Sequence, residues 1–148
     1  MEPNMAPSIK RMIAACTQVL PFCPWTTGYD KSEADENFFN NFSYVTIIGK
    51  GGYIDCDYFS CGITLISPDT FYDWHYHPAI EIYLNLTKGS QWGMTEGDLL
   101  PKTIGEVITH PSNIPHAMYS KELPLIAPWF WSGDVQVPAK MEKTKGQY

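Results

Sequence analysis

The chain has 148 residues, enough for one domain with a sizeable core, and 5 Trp, 9 Tyr and 7 Phe give it a heavy aromatic load. Its 11 Gly and 12 Pro are scattered, which favours short strands and turns over a helical bundle and excludes a low-complexity tract or an internal repeat. The formal net charge is -6 and no Lys/Arg cluster could track a phosphate backbone, so nucleic acid is excluded as a partner.

In chain order, residues 7–20 show a loose helical period through Ile9, Ile13 and Leu20, with Ser8 placed to cap the start and Pro21, Pro24 and Gly28 to end it. The apolar run Met12–Phe22 is broken by Gln18 and Pro21 and lacks a small-x-small cleavage site. It is also far below the ~20 residues that span a bilayer, so the expectation is a cytoplasmic protein with no membrane partner. Residues 31–42 form a second helical candidate, with Ser32, Asp35 and Glu36 supplying first-turn acceptors and Phe38, Phe39 and Phe42 an apolar face. This aromatic, helical arm, residues 1–42, offers a surface for homodimerisation.

From Tyr44 onward the pattern turns to strands: Tyr44–Ile48, Ile63–Ile66, Ile80–Leu86, Glu106–Thr109, Ala117–Tyr119 and Leu125–Trp131, separated by turn residues. Such spacing predicts a sandwich or barrel over residues 43–137, and the Lys-rich segment 138–148 reads as a polar, frayed tail of the same single domain. Cys16, Cys23, Cys56 and Cys61 form no Cys-x-x-Cys pair, which argues against a zinc ribbon and for buried reduced thiols.

The run Ile80–Leu86 alternates strictly. Ile80, Ile82, Leu84 and Leu86 share one face and Glu81, Tyr83 and Asn85 the other. An antiparallel sheet with one wetted face gives the same alternation, with the polar side in water. The residues before it point elsewhere. His75-Tyr76-His77 puts two imidazoles on one face of an extended chain, Pro78 forces a bend, and Glu81 follows. Two neutral imidazoles and a carboxylate converging from a rigid frame suit a borderline divalent metal. The two other histidines, His110 and His116, bracket a turn-rich passage, and either could complete the set.

These residues also resemble a known family. Gly105, Pro111, Asn113 and His116 follow the order of the second cupin motif, which favours His116 as the last ligand and leaves His110 a packing or supporting residue. His75-x-His77-x-x-x-Glu81-x-Tyr83, then Gly89 and Pro111-x-Asn113-x-x-His116, is similar to the cupin-type dimethylsulfoniopropionate (DMSP) lyases. The surrounding Phe39-x-Asn41-x-Ser43-Tyr44, Gly51-Gly52-Tyr53, Tyr72, Pro115-His116-Ala117-Met118 and Trp129–Asp134 extend the likeness over roughly residues 38–135. The N-terminal region is shorter than in the longer members.

The resemblance implies an all-β cupin barrel (a double-stranded β-helix, or jelly roll) with a short helical arm. It implies one divalent transition metal (Fe, Mn, Zn, Ni or Co) on His75, His77, Glu81 and His116. The implied reaction is β-elimination of a zwitterionic sulfonium carboxylate, DMSP, to dimethyl sulfide and acrylate, with Tyr83 as base and Tyr72 and Trp131 against the sulfonium. Trp74, next to a ligand, is expected to point the other way. A barrel-filling role for Tyr83 is the alternative, as are an iron oxygenase and a non-catalytic binding protein on the same scaffold.

Overall fold

In the computed structural model, which describes residues 5–95 and 97–142, two α-helices and a 3-10 turn (Leu20–Phe22) precede a barrel of two five-stranded antiparallel sheets. The helices are α1 (Pro7–Val19) and α2 (Glu36–Asn41). The first sheet has the order β1-β2-β9-β4-β7, built from β1 (Phe42–Ile48), β2 (Phe59–Ile66), β4 (Ile80–Leu84), β7 (Val107–His110) and β9 (Leu125–Ser132). The second has the order β10-β3-β8-β5-β6, built from β3 (Thr70–Tyr76), β5 (Gln91–Met94), β6 (Leu100–Pro101), β8 (His116–Ser120) and β10 (Lys140–Met141). The expected all-β barrel with a helical arm is therefore what forms.

Details differ from the sequence reading. Pro7, with its preset φ, opens α1 and the N-cap is Ala6, so Ser8 lies inside the helix. The second helix is a single six-residue stretch, because the Asp35 side chain already accepts the Phe38 N–H at 3.0 Å and so caps there. Residues 31–34 form turns instead. Strand β3, which carries His75, had only its histidine-bearing end marked in the sequence. The tail is not frayed at Lys140–Met141, which pair with Tyr76 and His75 of β3, while residues 143–148 lie outside the described residues. All four cysteines are free thiols, but only Cys16 is buried. Among the described residues no helix is long and apolar enough to cross a membrane.

Strand β4 has the expected alternation, and its polar face is the inner one, as a metal site requires and a wetted sheet face would not. Glu81 and Tyr83 point into the barrel, at 2% and 4% exposure, whereas Ile80 and Ile82 are 46% and 40% exposed. The interior is where the chemistry-bearing side chains converge. The opposed strands supply Trp129, Trp131, Ile108 and His110 to the same face, since directly paired residues share a side of the sheet.

A bulge in β3 sets the other wall. Tyr72 pairs with Met118 and His75 with His116, so three steps on β3 match two on β8. Plain alternation would send Tyr72 and His75 to opposite faces. The extra residue brings both inside, where their rings stack at 3.6 Å and 6°. Trp74 is left on the outer face, over Gly93, as its neighbour's orientation requires.

Apolar packing occupies two places. Between the sheets, Phe38, Phe42 and Tyr72 stack with centroids 4.6–4.9 Å apart and join Tyr83, Trp92, Ile108, Met118, Leu125 and Trp129. Outside the first sheet, α1 lays Ile9, Met12 and Ile13 over Val45, Ile63 and Leu86. Phe38 is 1% exposed and ties the arm to the barrel. Replacing it with Ala is expected to cost about 3–5 kcal/mol of stability, read from urea unfolding midpoints at constant slope.

Candidate metal centre and adjoining cavity

The end of β3, the Pro78 bend, β4 and the start of β8 place His75, His77, Glu81 and His116 together, each 1–2% exposed. The donor atoms of His77, Glu81 and His116 all lie within 4.8 Å of one another, a group that could hold a metal ion. His75 stands beside them, its ring edge-on to His116 at 4.1 Å, but its donor atom is not within that trio's span.

Hydrogen bonds to the main chain set the tautomers. The Nδ1 atoms of His75, His77 and His116 meet the carbonyls of Asp73, Ala79 and Ile114 at 2.8, 3.0 and 2.8 Å. A carbonyl only accepts, so each Nδ1 carries the proton, and in the neutral ring each Nε2 presents a lone pair. Those of His77 and His116 face Glu81 Oε2 at 3.2 Å each. His116 Nε2 is buried without a hydrogen-bond partner. Lone pairs opposed to a carboxylate oxygen repel unless a cation or protons stand among them, and main-chain carbonyls that fix imidazoles in this way are usual behind metal sites. The donor set present therefore fits a divalent metal.

Glu81 is gripped from two further directions. Trp131 Nε1 donates to Oε1 at 2.6 Å, and His110 Nδ1 donates to Oε2 at 3.1 Å. His110 is thus more than packing: it bonds the carboxylate directly and stacks on His116 at 3.9 Å, while its own Nε2 is buried and unpartnered. Burial alone would push the Glu81 carboxyl up, but His110, His116 and His77 outweigh it and hold it well below the usual carboxylate range. Burial, reinforced by His116, holds His75 well below the usual imidazole range, and burial likewise lowers His110. Burial and the Glu81 charge push the Tyr83 phenol well above its ordinary value, opposed by a hydrogen bond with Thr64.

A cavity of about 210 Å³ opens beside this group. Tyr72, Tyr83 and Trp131 line it, together with Tyr29, Phe42, Tyr44 and Trp129, while Lys50, Gln136, Ser60 and Thr64 add polar groups and no carboxylate among the described residues contributes. The three aromatic residues singled out from the sequence thus share one chamber, and Trp131 also packs on His77 at 4.2 Å. Sequence reasoning missed Tyr29, which lies in the arm, and the N–H of Trp131 as a partner of Glu81. No short-range pattern marks either contact, as both join residues distant in the chain.

The family model for dimethylsulfoniopropionate lyase matches residues 1–127. A curated relative, the dimethylsulfoniopropionate lyase DddQ of Ruegeria pomeroyi, is 29% identical over 125 residues, covering 83% of this chain and 61% of the relative. The chain thus spans less than two thirds of that protein's length. The crystal structure of DddQ from Ruegeria pomeroyi superposes with a TM-score of 0.84 at 24% identity, covering 99% of this chain and 75% of that one. A cupin-like protein from Thermotoga maritima superposes at 0.59 with 16% identity, covering 72% of this chain and 80% of that one. At these identities the structural likenesses establish the fold, a cupin barrel.

The buried titratable groups dictate how metal-free protein responds to acid. His75 and His110 are lowered in the fold, so below about pH 6.5 the unfolded chain binds protons that the folded one refuses. Glu81, lowered too, gives stability above its unfolded value that is lost as pH falls toward its folded one. Both effects have the same sign. The urea midpoint of chelator-treated protein is expected to fall steadily from pH 7.5 to pH 4.5, and a flat or rising midpoint would contradict the assignment.

Proposed function

This chain belongs to the dimethylsulfoniopropionate lyase family, and on that premise we propose that it is a metal-dependent carbon–sulfur lyase cleaving DMSP to dimethyl sulfide and acrylate. The observation that carries the reading is the juxtaposition of a histidine–carboxylate donor set with an aromatic chamber that no carboxylate among the described residues lines. His75, His77, Glu81 and His116 would hold one divalent transition metal. Iron, manganese, zinc, nickel and cobalt all accept three imidazoles and a carboxylate. His75 belongs to the set because its tautomer is fixed as in the other two. When bound, the cation would stabilise negative charge developing at the substrate carboxylate and offset the Glu81 charge that otherwise keeps Tyr83 protonated.

Tyr83 is the proposed base. It shares the inner face of β4 with Glu81 and lines the chamber. Its phenolate takes the proton from the carbon next to the substrate carboxylate. The freed electron pair forms the carbon–carbon double bond as the carbon–sulfur bond breaks, and dimethyl sulfide leaves with its electrons. The sulfonium needs no acid, since it departs as a neutral thioether. Thr64, hydrogen-bonded to Tyr83, supports the ionised oxygen.

Trp131 would present a ring face to the sulfonium, whose methyls offer no proton to an acceptor, while Tyr72, its ring held between His75 and Phe38, would meet the cation with its hydroxyl oxygen. A chamber of rings suits such a cation better than carboxylates would, because the ring quadrupole attracts it without a large desolvation cost. Trp131 does two things under this reading: its N–H orients Glu81 and its ring borders the substrate.

Headspace detection of dimethyl sulfide from purified protein, added metal and DMSP tests the activity. In the same assay Tyr83→Phe should fold, retain metal and lose at least ~10²-fold in kcat, the low end for a positioned general base. A metal-loaded Tyr83→Phe with wild-type turnover would refute the mechanism. Elemental analysis should find metal in the wild type and lose it in His77→Ala. Trp131→Leu should weaken DMSP binding in calorimetry by about 0.5–2 kcal/mol, and Trp131→Phe should recover much of that through its ring.

A further inference from the structure

The segment between α1 and α2 enters the site, although nothing in its sequence marks it as functional. Thr26 exchanges two main-chain hydrogen bonds with Tyr44 of β1, at 3.0 and 2.8 Å, and so pins the segment along that strand. Gly28 follows with φ +75°, and a Cβ there would lie 2.6 Å from the Tyr44 ring. Only glycine fits both demands. The chain therefore lies flat on Tyr44 and delivers the next residue, Tyr29, inward.

Tyr29 lands on the aromatic stack, 5.7 Å from Phe38, 6.1 Å from Phe42 and 6.0 Å from Tyr72. Packing explains the ring but not the hydroxyl, which phenylalanine would spare. That hydroxyl lies 2.5 Å from the hydroxyl of Tyr72, and both residues line the cavity. Tyr72 in turn lies flat on His75 at 3.6 Å. A continuous chain of contacts thus runs from the arm to a histidine of the candidate metal centre.

We propose that Tyr29 is a positioning residue of this site: its hydroxyl fixes that of Tyr72 over the cavity and, through the Tyr72 ring, the plane of His75. The inference rests on the reading of Tyr72 as a substrate contact and His75 as a ligand. It makes the arm part of the site, so that docking of residues 26–29 and competence of the centre are one event. Both tyrosines act in series, because Tyr29 reaches the substrate and His75 only by way of Tyr72.

A double-mutant cycle reads a series arrangement directly. Tyr29→Phe, Tyr72→Phe and the double variant keep every ring and delete only hydroxyls. For Tyr29→Phe, kcat/KM for DMSP is expected to fall roughly 3- to 10-fold, the range for one lost hydrogen bond, and mainly through KM. The double variant should be no worse than Tyr72→Phe alone. Wild-type parameters for Tyr29→Phe, or two effects that multiply, would overturn the proposal. A second arm needs no turnover: Co²⁺ is loaded and its visible absorption bands, which report ligand geometry, are compared. The bands should move alike in Tyr29→Phe and Tyr72→Phe, and bands that move only in Tyr72→Phe would overturn it. If wild-type protein forms no dimethyl sulfide, the lyase reading falls and the Co²⁺ spectra decide the role of Tyr29. Should Tyr29→Phe fail to fold, Tyr72→Phe deletes the same bond from its other end, and unchanged bands and KM there would overturn the proposal.

Discussion

A single carboxylate, buried to 2% exposure inside a barrel, constrains the rest of this molecule. Moving such a charge out of water costs several kcal/mol even after relaxation, and the cost is recovered only when its oxygens are fully engaged. Glu81 meets that demand through Trp131 on one oxygen and His110 on the other, and the Nε2 atoms of His77 and His116 face the second across 3.2 Å, where a cation would complete the set. Those partners come from β9, β7, the β3–β4 bend and β8. The carboxylate is thus a condition on the register of both sheets. A one-residue slip of any contributing strand would turn its partner outward and leave the charge alone.

Polar groups claim part of the barrel's interior, and the apolar core packs around them. Part of it lies between the sheets, from Phe38, Phe42 and Tyr72 to Trp92, Met118 and Leu125. Part sits outside the first sheet, where α1 covers Val45 and Ile63. The arm is therefore a structural layer that adds packing from outside to the packing within. The inward polar side of β4 leaves the aliphatic side chains of Ile80 and Ile82 standing partly in water.

The orientation of β4 shows what was legible in the sequence. The alternation of residues 80–86 gives the period of a strand, and the period is right through Leu84. Period does not say which face is inside. Hydrophobicity would choose the isoleucines, and only the histidines just upstream argue otherwise. The pairing of His75 with His77 was readable because two residues apart on an extended chain share a side. The relation of Tyr72 to His75 was not, because it depends on one extra residue in β3, and bulges of this kind leave no mark in composition. His110 shows the same limit. Its place before Pro111 left it a packing or supporting residue, and its bond to Glu81, which makes the choice, becomes visible only when β7 lies against β4.

Tyr29 carries this furthest. Helical periodicity and turn residues divide the chain near residue 42 into an arm and a barrel, and that division places every chemical residue in the barrel. Contacts disregard it. A glycine with positive φ and a two-bond bridge to β1 are enough to bring a tyrosine hydroxyl from the arm onto the wall of the cavity. What the sequence presents as an appendage supplies outer packing through α1, interior packing through Phe38 and a polar contact through Tyr29. All three bear on the strands that present Glu81 and its histidines. The arm and the buried carboxylate therefore belong to one arrangement: through Phe38 and Tyr29 the arm packs on Tyr72, and Tyr72 in turn packs on a histidine beside Glu81.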